Sequence, residues 1–240
     1  MLKEAFERFC AVTRAEGMNA AITRVAAVLG RKPPGVGVDN FDSTFKTETA
    51  TIVPLWRLRI PSSNAKFGIR YQTSSPSAFL DALGKVPEDL HNLVFIDLGC
   101  GKGRTLILAA KQGFKRVMGV EFSPQLAAIA RENVRRVGVT AEVLEMDACH
   151  FNPPDDSLLV YMYNPFKDIV VDAVLRNLRQ WAQQSYSKAF VIYVNPACRN
   201  RFDSAPEFEV VVDQDGMCIW RLQGLRGAGF DDSQSKGMSG

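Results

Sequence analysis

The hydrophobic pattern of this chain changes character twice. From Leu2 to Leu29 apolar residues fall at helical spacing: Leu2, Ala5, Phe6, Phe9 and Val12, then Ile22, Val25, Ala26 and Leu29 beyond Gly17. One or two amphipathic helices are expected there. "GRKPPGVG" stops them, with two prolines between glycines. Residues 39–75 are polar and aromatic with no clear period, and read as a cap or lid over the domain beyond them. "SPSAFLDAL" opens a helix, with Ser75 as its N-cap and Pro76 in its first turn.

From Leu93 onward the pattern alternates. "LVFIDL" is a continuous apolar run with β-branched members, as expected of a strand buried on both faces. "RTLILAAKQGF" reads as a helix ending at Gly113, and "RVMGVEF" as a strand. "SPQLAAIARENVRRVG" is a helix with Ser123 as N-cap, Pro124 in the first turn and Gly138 just past its end. "AEVLEMD", "SLLVYMYN" and "AFVIYVN" read as strands, and "KDIVVDAVLRNLRQWAQQ" as a helix between the last two. Such alternation calls for an α/β fold with a parallel, doubly wound sheet. "EFEVVVDQDGMCIWRLQG" differs: two strands around Gln214, Asp215 and Gly216 make an antiparallel hairpin. The organisation expected is a helical segment at 1–32, a cap or linker at 33–75, a main domain at 76–223 and a disordered Gly/Ser-rich tail at 224–240.

Composition narrows the class. A chain of 240 residues suits one large α/β domain, or one domain with an added segment. A net charge of +3 without a Lys/Arg block argues against a phosphate-tracking surface, so nucleic acid is disfavoured as a partner. The five cysteines are odd in number, scattered and never in a CxxC pair. They read as reduced thiols of a cytoplasmic protein, not as a disulfide frame or a zinc site. His91 and His150 are the only histidines, so no metal site is expected. No apolar run is long enough for a bilayer, and no signal-peptide core opens the chain.

The candidate chemistry sits in "VFIDLGCGKGRTLILAA". Gly99, Gly101 and Gly103 lie in the turn between strand and helix, where a doubly wound sheet binds ligands. Asp97 ends the strand before the turn, Glu121 ends the next strand, and Asp147 follows the third, with the Ala148 N–H beside it. Each acid alone is equally well a turn cap or a solvated strand end. Three in order are a constellation. A pyrophosphate would be repelled by Asp97, whereas a nucleoside with a positive appendage would not. S-adenosylmethionine is such a ligand. A nicotinamide cofactor is the rival, but its fingerprint places the third glycine where this chain has Arg104.

"DLGCGKGR", "GVEFSP", "EMDACHF" and "YMYNPF" resemble, in order, motifs of the class I S-adenosylmethionine-dependent methyltransferases. The run from Phe41 to Leu222 is more closely similar to bacterial methyltransferase-like proteins of undefined substrate, which share "FGIRYQ-T-SP-AF" and "YVNP". The resemblance implies a Rossmann-like, seven-stranded sheet, mostly parallel with an antiparallel last strand. It also implies that Asp97, Gly99, Cys100, Gly101 and Gly103 hold the methionine part, Glu121 with Phe122 the ribose, and Asp147 with Ala148 the adenine. Arg70, Tyr71 and Thr73 would reach the methionine carboxylate or close over the cofactor. Cys100 also reads as a small packing residue, and His150 as a partly buried structural histidine or a base.

The acceptor end is "YMYNPF". Asn164, Pro165 and Phe166 are the catalytic candidates, with Asn164 also beside the cofactor, and Phe166 or Tyr163 available to stack on a planar acceptor. The motif resembles the Asn-Pro-Pro-aromatic signature of enzymes that methylate planar amino groups, but the second proline is missing. Asn195 and Pro196 repeat the pair at the next strand end, either as a second wall of the acceptor cleft or as a plain strand stop. The expected activity is methyl transfer from S-adenosylmethionine, yielding S-adenosylhomocysteine, with a lean to nitrogen on a small molecule or protein side chain. A non-catalytic module binding either nucleoside is the alternative.

Overall fold

A computed structural model describes residues 39–50, 53, 58, 60, 61, 73–214 and 216–225. The expected N-terminal helices, Arg70, Tyr71 and nearly all of the expected tail lie outside the described residues. In chain order the described elements are α1 (Phe41–Phe45), α2 (Pro76–Leu83), β1 (Val94–Leu98), α3 (Arg104–Ala110), β2 (Arg116–Glu121), α4 (Pro124–Val137), β3 (Glu142–Glu145), β4 (Leu158–Tyr163), α5 (Asp168–Gln184), β5 (Lys188–Val194), α6 (Arg199–Asp203), β6 (Phe208–Gln214) and β7 (Met217–Gln223). The strands form one seven-stranded sheet in the order β3-β2-β1-β4-β5-β7-β6.

The continuous apolar runs are explained by burial on both sides. Ile96, Leu98, Val120, Val160 and Met162 face a core shared with Val171, Val174 and Leu178 of α5. Phe95, Tyr161, Phe190 and Ile192 face the opposite core, shared with Phe79 of α2, Leu106 and Ile107 of α3 and Ala127 of α4. β1 to β5 are parallel, while β7 runs antiparallel to both β5 and β6. Gly216, at a φ of 76°, turns the β6–β7 hairpin where the sequence places it.

Local signals fared unevenly. The Ser123 hydroxyl accepts the Leu126 N–H, and Gly138 caps α4 in the left-handed conformation, as the spacing predicts. Ser75 occupies the N-cap position of α2, but its hydroxyl pairs with Ser77 and caps nothing. Pro76 presets the first turn there without help. α3 stops at Ala110 and not at Gly113, because a turn, in which Gln112 N–H donates to the Ala109 carbonyl, carries the chain to Gly113.

The strand order positions the site. From β1 the chain winds one way to β2 and β3, then back past β1 to β4 and β5. The crevice this reversal leaves lies at the carboxyl ends of β1 and β4, where the glycine turn and the Asn-Pro turn emerge.

Candidate active site

The glycine turn is held tightly. Gly99 and Cys100 both donate their N–H groups to the Val120 carbonyl of β2, at 2.8 and 3.1 Å. Gly99, Gly101 and Gly103 have φ of 91°, 53° and 80°, a region that side chains other than glycine enter at a cost of roughly 1–2 kcal/mol per residue. Gly99 has a second constraint: a Cβ there would lie 2.7 Å from the Pro165 Cβ. The turn after β1 and the turn after β4 therefore touch through a missing side chain.

Two acids lie beneath this turn. Asp97 is 3% exposed and accepts a hydrogen bond from the Thr105 hydroxyl. Burial pushes its carboxyl up to about 7, Thr105 opposes the shift and the charge of Glu121 adds to it. Glu121 is 4% exposed, and its oxygens accept the Gly101 and Ser123 N–H groups, each at 2.9 Å. Burial raises it to about 7 as well, against the hydrogen bonds from Ser123, Gly101 and the half-buried Phe122. Both carboxyls are thus poised to ionise when a cation arrives. This suits a nucleoside carrying ammonium and sulfonium charge, and disfavours a pyrophosphate.

The resemblance gives Glu121 to the ribose; in this structure its oxygens brace the loop through the Gly101 and Ser123 amides. Asp147 accepts the Cys149 N–H at 2.9 Å and so caps the short 3-10 turn Ala148–His150, in which Ala148 is buried. Cys100 is a packing residue: its Sγ would lie 2.7 Å from a Cβ on Gly119, and burial drives its thiol pKa well up. His150 is exposed, not partly buried.

Sequence reasoning missed the residues that hold the turn from behind. Lys102, inside the glycine turn, is 2% exposed, and its ammonium reaches the Glu48 carboxylate at 2.6 Å. The Asn133 amide donates to the Lys102 and Glu48 carbonyls and accepts the Glu48 N–H. Arg104 donates from Nε to the Thr49 hydroxyl at 2.7 Å and lies over the Phe41 ring at 4.6 Å. Asp42 ties the same segment together. Burial raises its pKa, but hydrogen bonds from Thr49, Thr47 and Ala50 outweigh this and hold it below the usual range. Thr73, expected at the cofactor, donates its hydroxyl to the Thr49 carbonyl. Residues 41–50 are therefore a strap on the back of the glycine turn. Polar residues without a period conceal such a role; only the lysine and arginine flanking Gly103 hint at it. Glu48→Ala takes from a buried ammonium its carboxylate. It is expected to lower unfolding stability by about 1–3 kcal/mol in urea titrations, and Lys102→Met in the same chain should restore most of the loss.

On the acceptor side, Asn164 has a φ of 42° and its Oδ1 is buried without a hydrogen-bond donor. Phe166 is 7% exposed and belongs to the core over α5, so it does not present a ring to an acceptor. Its position follows from Pro165, which turns the chain back into the fold. Tyr163 is half-buried; burial raises its pKa, while a hydrogen bond from the Asn195 side chain opposes the shift. Asn195 itself is exposed, with a φ of 48°.

Comparisons with known proteins agree with this geometry. Residues 95–185 match the family described as a methyltransferase domain. Ribosomal protein L11 methyltransferase of Deinococcus radiodurans is 31% identical over 124 residues, covering 48% of this chain and 44% of that protein. The enzyme of the same description from Aliivibrio salmonicida is 29% identical over 167 residues, covering 66% and 51%. This chain spans about half the length of the curated relatives it matches. A Pyrococcus horikoshii structure described as a candidate RNA methyltransferase superposes with a TM-score of 0.51 at 18% identity, covering 79% of this chain and 96% of that one, and supports the fold. Residues 95–185 are thus similar to a methyltransferase domain, and the glycine turn, the buried acids and the seven-stranded order are those expected of the class I S-adenosylmethionine-dependent methyltransferases.

Proposed function

We propose that this protein transfers a methyl group from S-adenosylmethionine to a nitrogen acceptor. One observation carries the choice of nitrogen: the buried, donor-less Oδ1 of Asn164, on a turn packed against Gly99. A buried carbonyl without a donor costs about 1–3 kcal/mol. An incoming N–H recovers that cost as the Asn164 side chain turns toward it. When bound, S-adenosylmethionine supplies a methyl group on cationic sulfur, already activated for displacement.

Asp97 and the glycine turn would hold the charged amino-acid end of the cofactor, Glu121 the ribose and Asp147 the adenine side. The protein's remaining task is to orient the acceptor and exclude water. An alcohol or phenol acceptor needs a base to take its proton. Among the described residues of the two Asn-Pro turns, the carboxylate is Asp168, and it is engaged by Cys198 and Arg201. That also favours a nitrogen that arrives uncharged.

The named relatives include enzymes of a ribosomal protein and of RNA. Protein or a small molecule is the better reading for this chain. Two arginines near the acceptor end are matched by acids, Arg199 by Asp203 and Asp213 and Arg201 by Asp168 and Asp172, which leaves exposed Lys167 as the unmatched cation of the Asn-Pro-Phe turn among the described residues. A phosphate backbone needs unmatched cations. The nicotinamide alternative is disfavoured by Arg104, which fills the third-glycine position and points into the strap.

The test is tritiated-methyl labelling of an extract from source cells lacking the gene, separated into protein, nucleic acid and metabolites. Label in one fraction is expected; none in any fraction favours the non-catalytic binding module. Asn164→Gly keeps the left-handed backbone and deletes the carboxamide. It is expected to leave S-adenosylhomocysteine affinity within about twofold and lower transfer about 10–100-fold. Equal transfer would remove Asn164 from the mechanism.

A further inference from the structure

We propose that Thr105 is a positioning residue of the cofactor site: its hydroxyl holds the Asp97 side chain beneath the glycine turn and sets the pH at which that side chain gives up its proton to admit a cation. The inference rests on the cofactor placement in the reading above.

Geometry leaves Asp97 with one donor. On β1 it shares a face with Phe95, toward the core that α3 covers. Its register partner on β2 is Gly119, which has no side chain. Its partner on β4 is Tyr161, whose hydroxyl donates to the Ser74 hydroxyl at 3.2 Å. The turn above spends its glycine amides elsewhere: Gly99 on the Val120 carbonyl, Gly101 on Glu121 and Gly103 on the Cys100 carbonyl. Among the described residues Thr105 remains, and its hydroxyl donates to Asp97 Oδ2. Its place in the chain explains this. Thr105 is the second residue of α3, and helical side chains lean toward the helix N-terminus. A hydroxyl in that first turn therefore points back at the end of β1.

The two buried acids are served by different chemistry. Glu121 takes N–H groups from Gly101 and Ser123, and an N–H can only donate. Those bonds favour the charged form. A hydroxyl both donates and accepts. By rotating its proton, Thr105 can donate to an ionised Asp97 or accept from a protonated one. It thus accommodates the neutral acid while the crevice is empty and the carboxylate once an ammonium or sulfonium arrives.

The charged and titratable groups around Asp97 leave this role to Thr105. Burial, with the charges of Glu121 and Asp97, drives the Cys100 thiol well up. Burial also keeps the Tyr161 phenol protonated, against its bond with Ser74. Lys102 and Arg104 send their charges to the strap, at Glu48 and Thr49. Arg131 of α4 is engaged by the Val143 carbonyl and the Glu145 carboxylate. From α2, Phe79 meets the Tyr161 ring and brings no charge. Among these groups Glu121 is the one that titrates alongside Asp97, each at about 7.

The experiment compares wild type with Thr105→Val and Thr105→Ser. S-adenosylmethionine binding is measured by calorimetry from pH 6 to pH 9, in paired buffers of different ionisation enthalpy. Valine keeps the outline of threonine without its hydroxyl, and serine keeps the hydroxyl. Without its donor, Asp97 should hold its proton to about one pH unit higher. Thr105→Val should then bind about five- to tenfold more weakly between pH 6 and pH 7, with the gap closed by pH 9. At pH 8 it should release about half a proton more than wild type on binding. Thr105→Ser should follow wild type. A threonine that merely supports the helix predicts an equal loss at every pH and an unchanged proton count. That result, an unchanged profile in Thr105→Val, or a serine variant that behaves like the valine one would each overturn the proposal. Should Thr105→Val fail to fold, Thr105→Cys, whose thiol is a weak donor, makes the same comparison. A wild type that binds with this pH dependence but transfers no methyl would support this inference while overturning methyl transfer. A wild type that binds no S-adenosylmethionine at any pH would overturn both.

Discussion

Gly99→Val should abolish binding of S-adenosylhomocysteine, with no heat detected by calorimetry at concentrations that saturate the wild type. Two effects add at this position. Valine is β-branched and resists a φ of 91°, and its Cβ would lie 2.7 Å from the Pro165 Cβ. Neither neighbour can yield cheaply, since Gly99 is bound to the Val120 carbonyl and Pro165 leads into the buried Phe166. The glycine turn and the Asn-Pro turn must separate, so cofactor and acceptor ends fail together. Gly138→Val is the control, because that glycine is also left-handed but has nothing within 4 Å of its Cβ position. It should cost stability and spare binding. Equal binding losses in the two variants would mean that the Gly99 contact has no special role.

Asp97→Asn should weaken S-adenosylmethionine binding about 100-fold at pH 8 and flatten its pH dependence. The sign follows from the raised carboxyls. Asp97 and Glu121 stand at about 7 in the folded protein, above their ordinary 3.8 and 4.5. Without ligand, the folded state holds more protons than the unfolded state between those limits. The contribution of these groups to stability therefore falls as pH rises from about 4 to about 7, then levels off. A cationic ligand favours the ionised acids, so binding below pH 7 expels protons and affinity rises with pH. Each proton expelled gives about tenfold in affinity per pH unit. Calorimetry in two buffers of different ionisation enthalpy counts those protons. Wild type should release them at pH 6, and Asp97→Asn should release fewer. Proton uptake, or no buffer dependence, would contradict the buried-acid account.

Fold and site were legible in the sequence to different depths. Parallel strands buried on both faces leave continuous apolar runs, and β1, β4 and β5 stand out for that reason. The α4 caps act through their immediate neighbours, so Ser123 and Gly138 could be read directly. Glycines and acids at strand ends announce a nucleoside crevice because few other uses demand both. What stayed hidden depends on distant pairing. Nothing in "FDSTFKTETA" says that Glu48 meets Lys102, or that Asp42 organises Thr49 and Ala50. Phe166 read, with Tyr163, as a ring available for stacking, because its motif says nothing of the core that buries it. Glu121 was placed correctly at its strand end, but its inward turn is set by the Gly101 and Ser123 amides.

The central claim is that a cationic sulfur nucleoside lies across the carboxyl ends of β1, β2 and β3, over Asp97 and Glu121. A crystal structure grown with S-adenosylhomocysteine tests it most directly. The account predicts the amino-acid end against the Gly99–Gly103 turn, the ribose within hydrogen-bonding distance of a Glu121 that has turned outward, and the adenine beside Asp147. Nucleoside density anywhere else, with Asp97 and Glu121 still closed beneath the turn, would contradict it.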